Sequence, residues 1–207
     1  MKRCLIGTVG ALGSLFLFAG CGASAETPDP DGVGDNPPGQ DSPWEDLDRW
    51  VAQTPANDPK WQSRATGISK DTKQRSAGAY SLKMSFDKLG LAEADIKSEA
   101  AFSYKGPQPL DLSGFTVLKI DVINPADKPI SCSIGFQVGP NWDWKEVIPV
   151  EGGTLLSRAA WQTLTIDHST LQGREMVQQM TLKLDAPAAT EADAVTGAIL
   201  VDNIRFE

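Results

Sequence analysis

The chain has 207 residues, 41% of them hydrophobic, with 27 acidic against 19 basic side chains and a net charge of −8. That length suits one domain with a substantial core. The negative balance excludes a nucleic-acid partner, whose phosphates need compensating cations, and provides no basic patch for anionic lipid heads.

Lys2 and Arg3 open the chain, and Cys4–Phe18 is then almost wholly apolar, the layout of an export signal. The run is shorter than the roughly 20 residues a permanent membrane helix needs. It ends in Phe18-Ala19-Gly20-Cys21, which resembles the bacterial lipobox, although Phe18 stands where Leu is usual. The resemblance implies a signal peptide over residues 1–20 and a diacylated Cys21 at the mature N-terminus. Ordinary cleavage near Ala23-Ser24-Ala25 is the alternative. Gly22, rather than Asp, follows the cysteine, and by the same resemblance the address is the outer membrane or cell surface. Membrane contact is then made through the lipid alone. Without Lys2 and Arg3 the net charge becomes −10, and Cys132 is the remaining thiol, so no intrachain disulfide can form. Cys132 alternates with serines in Ile130-Ser131-Cys132-Ser133-Ile134, the pattern of a buried and inert thiol.

Residues 21–43 read as a tether. From Gly22 to Pro43 there are five Pro, four Gly and four Asp, with no aromatic and Val33 as the one aliphatic larger than Ala. Such a segment cannot bury enough apolar surface to offset its chain entropy. Residues 44–207 form the folded domain. A helix is predicted near Glu45–Gln53 and a single turn around Ser169–Gly173. Everything between reads as short strands: Tyr80–Phe86, Ala100–Tyr104, Leu118–Val122, Ile130–Val138, Trp142–Ile148, Leu164–Ile166, Met180–Leu184 and Ala198–Phe206. Tyr80–Phe86, Leu118–Val122, Leu164–Ile166 and Met180–Leu184 alternate apolar with polar residues, the other four are further candidates, and Gly106-Pro107, Asn124-Pro125, Gly139-Pro140 and Gly152-Gly153 punctuate them. Eight to ten such strands, each with one apolar face, predict an all-β fold of two antiparallel sheets packed as a sandwich.

Four segments in order resemble landmarks of the galactose-binding-like jelly-roll superfamily, which includes many carbohydrate-binding modules. They are Glu45-Asp46-Leu47-Asp48, Ser76–Lys83, Ala160–Asp167, and Gly197–Glu207 with its Asp202-Asn203-Ile204. The resemblance implies a jelly-roll β-sandwich and a glycan partner. In these jelly rolls a calcium often ties the first strand to the last, which implies one structural calcium at Asp48 and Asp202, with Asp71 as a further ligand. No self-contained D-x-D-x-D-G calcium loop is present, and solvated acids are the alternative.

Six tryptophans invite a functional reading. Trp44 and Trp161 sit beside strand patterns and are expected in the core; Trp50 and Trp61 flank a loop. Trp142 and Trp144 lie two apart, so on a strand they share a face about 6.8 Å apart. Side by side they offer a flat surface for the C–H face of a pyranose, with Asn141, Asp143, Gln137, Lys145 and Glu146 as hydrogen-bonding neighbours, and Glu146 shares their parity, which favours an exposed face. Alternatively both point into the sandwich with Ile148, as large aromatics usually do. His168, the one histidine, follows a strand and reads as a turn residue or cap. No nucleophile elbow, phosphate loop or dinucleotide fingerprint occurs. The reading is a monomeric surface lipoprotein that binds polysaccharide without catalysis. A protein-interaction or structural lipoprotein of the same fold is the alternative, ahead of a glycan-active enzyme.

Overall fold

Where apolar and polar residues alternate, the backbone extends and one face turns inward. In Ser81–Leu89, Leu82, Met84 and Phe86 are buried while Lys83 and Asp87 are exposed. The computed structural model describes residues 42–53, 61–91, 97–106, 108–156, 160–187, 190 and 192–207. The expected signal peptide, Cys21 and nearly all of the tether lie outside them. Ser42 and Pro43, assigned above to the tether, belong to the folded domain.

Among the described residues there are twelve strands: β1 (Trp50–Ala52), β2 (Trp61–Ser63), β3 (Ala65–Asp71), β4 (Ser81–Leu89), β5 (Lys97–Tyr104), β6 (Val117–Ile123), β7 (Ile130–Val138), β8 (Asp143–Val147), β9 (Thr154–Leu155), β10 (Gln162–Asp167), β11 (Val177–Asp185) and β12 (Val195–Phe206). One sheet runs β1-β5-β11-β7-β8, with β2 also on β5 and β9 also on β7; the other runs β10-β6-β12-β4-β3. From β4 to β7 successive strands alternate between the sheets, and so do β10 to β12. Pairings are antiparallel except β2 with β5. The chain is therefore the antiparallel jelly-roll sandwich expected. Its core is the interface between the sheets, where Phe102, Phe136, Ile134, Leu182, Ile120, Leu82 and Met84 are fully buried.

The predicted helix over 45–53 does not form. Two 3-10 turns, Pro43–Glu45 and Leu47–Arg49, lead directly into β1. The first turn ends at Asp46, whose ψ of 112° is not helical and whose side chain caps the second turn, while a capping box at Ser42 and Glu45 fixes where the first begins. The Ser42 hydroxyl accepts from Trp44 N–H at 3.2 Å and the Glu45 carboxylate accepts from Ser42 N–H at 3.2 Å. The same two side chains bind β12: Ser42 Oγ donates to the Ile204 carbonyl at 2.6 Å, and Ile204 N–H donates to Glu45 Oε1 at 3.0 Å. Trp44 then packs between Tyr104 and Phe206, with ring centroids 4.9 and 4.8 Å away. Trp50, which the sequence did not place, packs edge-on against Tyr104 and is buried. Trp161 is half-buried rather than core, because it precedes β10, the outermost strand of its sheet. The side chain of Trp61 lies outside the described residues.

Residues 169–173 form turns, not a helix. His168 anchors them, and its ring is inside: it is fully buried, 5.7 Å from Phe206 and 6.2 Å from Phe136. A turn residue with a core side chain is a correction to the cap reading. Cys132 is buried on the inner face, and burial pushes its thiol far above the usual range. It is inert, as the alternation implied.

Candidate functional site

In an antiparallel sheet, paired residues turn their side chains to the same face. The register therefore lays out the outer face of the first sheet. Val51 pairs with Ser103, Ser103 with Thr181, Thr181 with Gly135, and Gly135 with Glu146. Two steps along, Gln179 pairs with Gln137 and Gln137 with Trp144. Two steps the other way, Ala101, Lys183 and Ser133 form a row. This is a small-residue and polar surface, the complement of the apolar positions that face the core.

Glycine in the interior of a strand marks a close approach, and Gly135 is such a case. A Cβ there would stand 1.9 Å from Trp144 Cη2 and 2.1 Å from Cζ2. The benzo ring of Trp144 thus covers Gly135, while the side chain remains 44% exposed. The benzo end of the indole is seated against the sheet while the residue stays partly open to solvent.

Beside this ring sits an ion triad. The Lys183 ammonium is 3.0 Å from Glu99 and 3.1 Å from Glu146. Ser133 Oγ donates to Glu146 at 2.6 Å, and Lys183 Nζ lies 5.8 Å from the Trp144 ring centre. Lys183 is only 9% exposed. Burial would pull its pKa down, but Glu99 and then Glu146 outweigh that and hold it above its ordinary value. β11 is consequently buried on both sides from Met180 to Leu184, with Ser103 and Thr181 sharing a hydroxyl hydrogen bond of 2.7 Å next door. The triad borders a cleft of about 490 Å³, lined also by Ile148, Thr154 and Asp185.

The expected glycan-contacting residues separate on this frame. Trp142 is exposed, at 46%, like Trp144, and Ile148 is 74% exposed, so the core alternative for this segment is overturned. The edge position of β8 is the reason: its strand overhangs the sandwich. Trp142, however, is not on the strand. It closes the β7–β8 turn in the left-handed region, φ 59°, its N–H donating to the Gly139 carbonyl at 3.3 Å. The two indoles therefore do not form the 6.8 Å strand pair expected. Gln137 shares the outer face, next to Trp144. Asn141 is exposed in the turn. Asp143 pairs with Val138, whose side chain is in the core, so its parity puts it on the side opposite Trp144. Glu146 shares the face of Trp144, as its parity implied, but sequence reading missed Gly135, Glu99 and Lys183; a glycine at a polar position of an otherwise alternating strand was the available signal.

The expected calcium ligands do not gather. Asp202 is fully buried, and its carboxylate accepts from the N–H groups of Ser76, of Ala77 at 3.0 Å and of Asn203 at 2.9 Å. Asp202 pairs with Asp121 on the outer face of β12, just before a one-residue bulge that has Asn203 at φ 48°, and is buried because Ser76 and Ala77 cover it. Asp71 Oδ1 accepts from Lys73 and Gln74 N–H at 2.8 and 2.9 Å, and these hydrogen bonds hold its pKa below the usual carboxylate value. Asp48 is exposed beside a 3-10 turn. Among the described residues no group of three His, Cys, Asp or Glu is placed to hold a metal ion. These side chains do not supply the six to eight oxygens calcium takes. The tie between the chain's opening and its last strand is made by Ser42 and Glu45 instead.

No family model matches the chain, and no curated protein matches it. Solved structures do. A non-crystalline cellulose specific carbohydrate-binding module superposes with a TM-score of 0.50 at 15% identity, over 84% of this chain and 97% of that one. An exo-β-agarase gives 0.53 at 11% identity over 83% of this chain, which spans only 25% of the agarase. At such identities the likeness is one of fold: the jelly-roll sandwich is shared.

Proposed function

We propose that this domain binds polysaccharide without catalysis, across the outer face of the β1-β5-β11-β7-β8 sheet, and that lipid on Cys21 holds it at the outer membrane or cell surface. The observation that carries the reading is the Trp144 indole, seated over Gly135 and 44% exposed beside a cleft. An aromatic ring exposed in this way offers a stacking surface, and Gln137, Gln179 and Ser133 around it offer hydrogen bonds to hydroxyls. A neighbour of like fold that is specific for non-crystalline cellulose supports the choice of ligand class. A non-catalytic role fits a chain whose one histidine is sealed in the core.

The test is retention of the full chain on insoluble polysaccharides (cellulose, xylan, mannan, agarose), comparing wild type with Trp144→Ala and Trp142→Ala. Retention on one polymer should drop at least tenfold in Trp144→Ala, with the melting temperature little changed. Undiminished retention, or none on any polymer, rejects the reading and favours a protein-contact role for the same face. Mass spectrometry of the mature N-terminus checks the anchor; an unmodified residue other than Cys21 rejects it.

A further inference from the structure

We infer, resting on the binding face proposed above, that the polysaccharide runs lengthwise along edge strand β8 and meets Ile148 as a second apolar contact, so that the site selects chains of several sugars over short ones. Trp144, Glu146 and Ile148 alternate along an extended chain and so share the outer face. Ile148 lines the cleft together with Glu146. At 74% it is the most exposed large apolar side chain among the described residues. The four steps from Trp144 to Ile148 span about 13.6 Å of extended chain, wider than a single pyranose ring. Between them Glu146 is engaged by the sheet, its carboxylate accepting from Ser133 Oγ at 2.6 Å and from Lys183 Nζ at 3.1 Å. Two apolar surfaces thus stand at either end of a polar stretch.

The segment that carries Ile148 is fixed in advance. After β8 the chain crosses to β10 of the other sheet, where Val150 N–H donates to the Thr165 carbonyl at 2.8 Å and Thr165 N–H donates to the Glu151 carbonyl at 3.1 Å. It then returns towards β9, with Cys132 N–H donating to the Gly153 carbonyl at 2.8 Å. Pro149, next to Ile148, is buried. A contact held in place before the ligand arrives costs little ordering on binding. Hydroxyls lie in the same cleft: Ser131 and Thr154 pair between β7 and β9 and both line it. Among the described residues neither hydroxyl has a hydrogen-bond partner. An apolar wall beside two such hydroxyls suits a sugar, which has C–H faces and hydroxyl edges. An apolar peptide would cover both hydroxyls and leave them unpaired.

The experiment is calorimetric titration of the full chain with cello-, xylo-, manno- and agaro-oligosaccharides, each series running from disaccharide to hexasaccharide. In one series the affinity of wild type should rise about tenfold or more with length. Ile148→Ser should lose most of that rise, weakening the hexasaccharide roughly tenfold while leaving the disaccharide within about twofold. Its melting temperature should be unchanged, because the side chain is exposed. A Ser131→Ala/Thr154→Val variant should weaken the hexasaccharide in the same length-dependent way. Trp144→Ala should weaken every length. If Ile148→Ser binds the hexasaccharide as wild type does, or loses affinity equally at all lengths, while Trp144→Ala is impaired, the second contact is overturned and the binding face stands. If wild type binds no member of any series, the binding reading fails and the second contact with it.

Discussion

Trp144 occupies the space a side chain at Gly135 would fill, its Cη2 only 1.9 Å from where a Cβ would be. The glycine is thus the seat of the indole. In Gly135→Ala the ring must lift, and because it is the far end of a side chain it can do so at little cost to the fold. Binding should weaken roughly tenfold, which corresponds to about 1.4 kcal/mol, while the melting temperature falls by no more than a few degrees. Tryptophan fluorescence should report the altered indole. Full-strength binding by Gly135→Ala would mean that the flat seating of Trp144 is irrelevant to the ligand.

Lys183 is held in low exposure by two carboxylates, and removing one member leaves the others uncompensated. Lys183→Met should destabilise the domain by roughly 3 kcal/mol. Adding Glu99→Gln should recover part of the loss, since the two are coupled. Denaturant melts of the two single variants and the double variant measure the coupling; strictly additive effects would show that the triad is decorative.

The buried ring of His168 meets no hydrogen-bond partner at either nitrogen among the described residues. Burial first, then the Arg174 charge, pull its pKa below the ordinary 6.5, against a smaller upward pull from Asp167. The folded form therefore resists a proton that the unfolded chain accepts. Stability is fully present above 6.5 and is lost as pH falls below it, at up to about 1.4 kcal/mol per pH unit until the folded pKa is reached. Urea melts between pH 5 and 7.5 should show this slope in wild type and not in His168→Met. A slope that survives the substitution assigns it to another group.

Calcium gives a fourth check. With Asp202 and Asp71 serving backbone amides, the melting temperature should be the same in excess calcium and in chelator. A rise of several degrees with calcium, scaling with its concentration as ligand linkage requires, would show that the ion finds oxygens elsewhere on the domain.

What was legible in the sequence and what was not divides along a physical line. Strand alternation is a local property, so Leu82-Lys83-Met84 and Leu182-Lys183-Leu184 announced both their strands and their inward faces. Which strands neighbour one another is not local. Glu99 and Glu146 are 47 positions apart and meet at Lys183 only through the β5-β11-β7-β8 order. Trp142 and Trp144 were found by spacing, but the left-handed turn that takes Trp142 off the strand depends on where β8 begins. The helix predicted over 45–53 failed because Asp46 leaves the helical region and Trp50–Ala52 is recruited as a strand by β5, a partner that local sequence does not reveal. Asp202 was read as a ligand from the resemblance of the closing strand, and the Ser76 and Ala77 amides that occupy it come from a loop far away in sequence, which no local pattern records.

The Ser42–Glu45 clasp on Ile204 also decides how the domain bears load. Upstream chain leaves from Ser42, and its grip is on β12, which lies between β6 and β4 rather than at an edge. A pull from that direction loads the two hydrogen bonds on Ile204 first, and once they break the load passes along the chain to β1, a short strand at the margin of the other sheet. The clasp is therefore the latch that shields an edge strand from tension in the upstream chain, and the domain yields first where that latch opens.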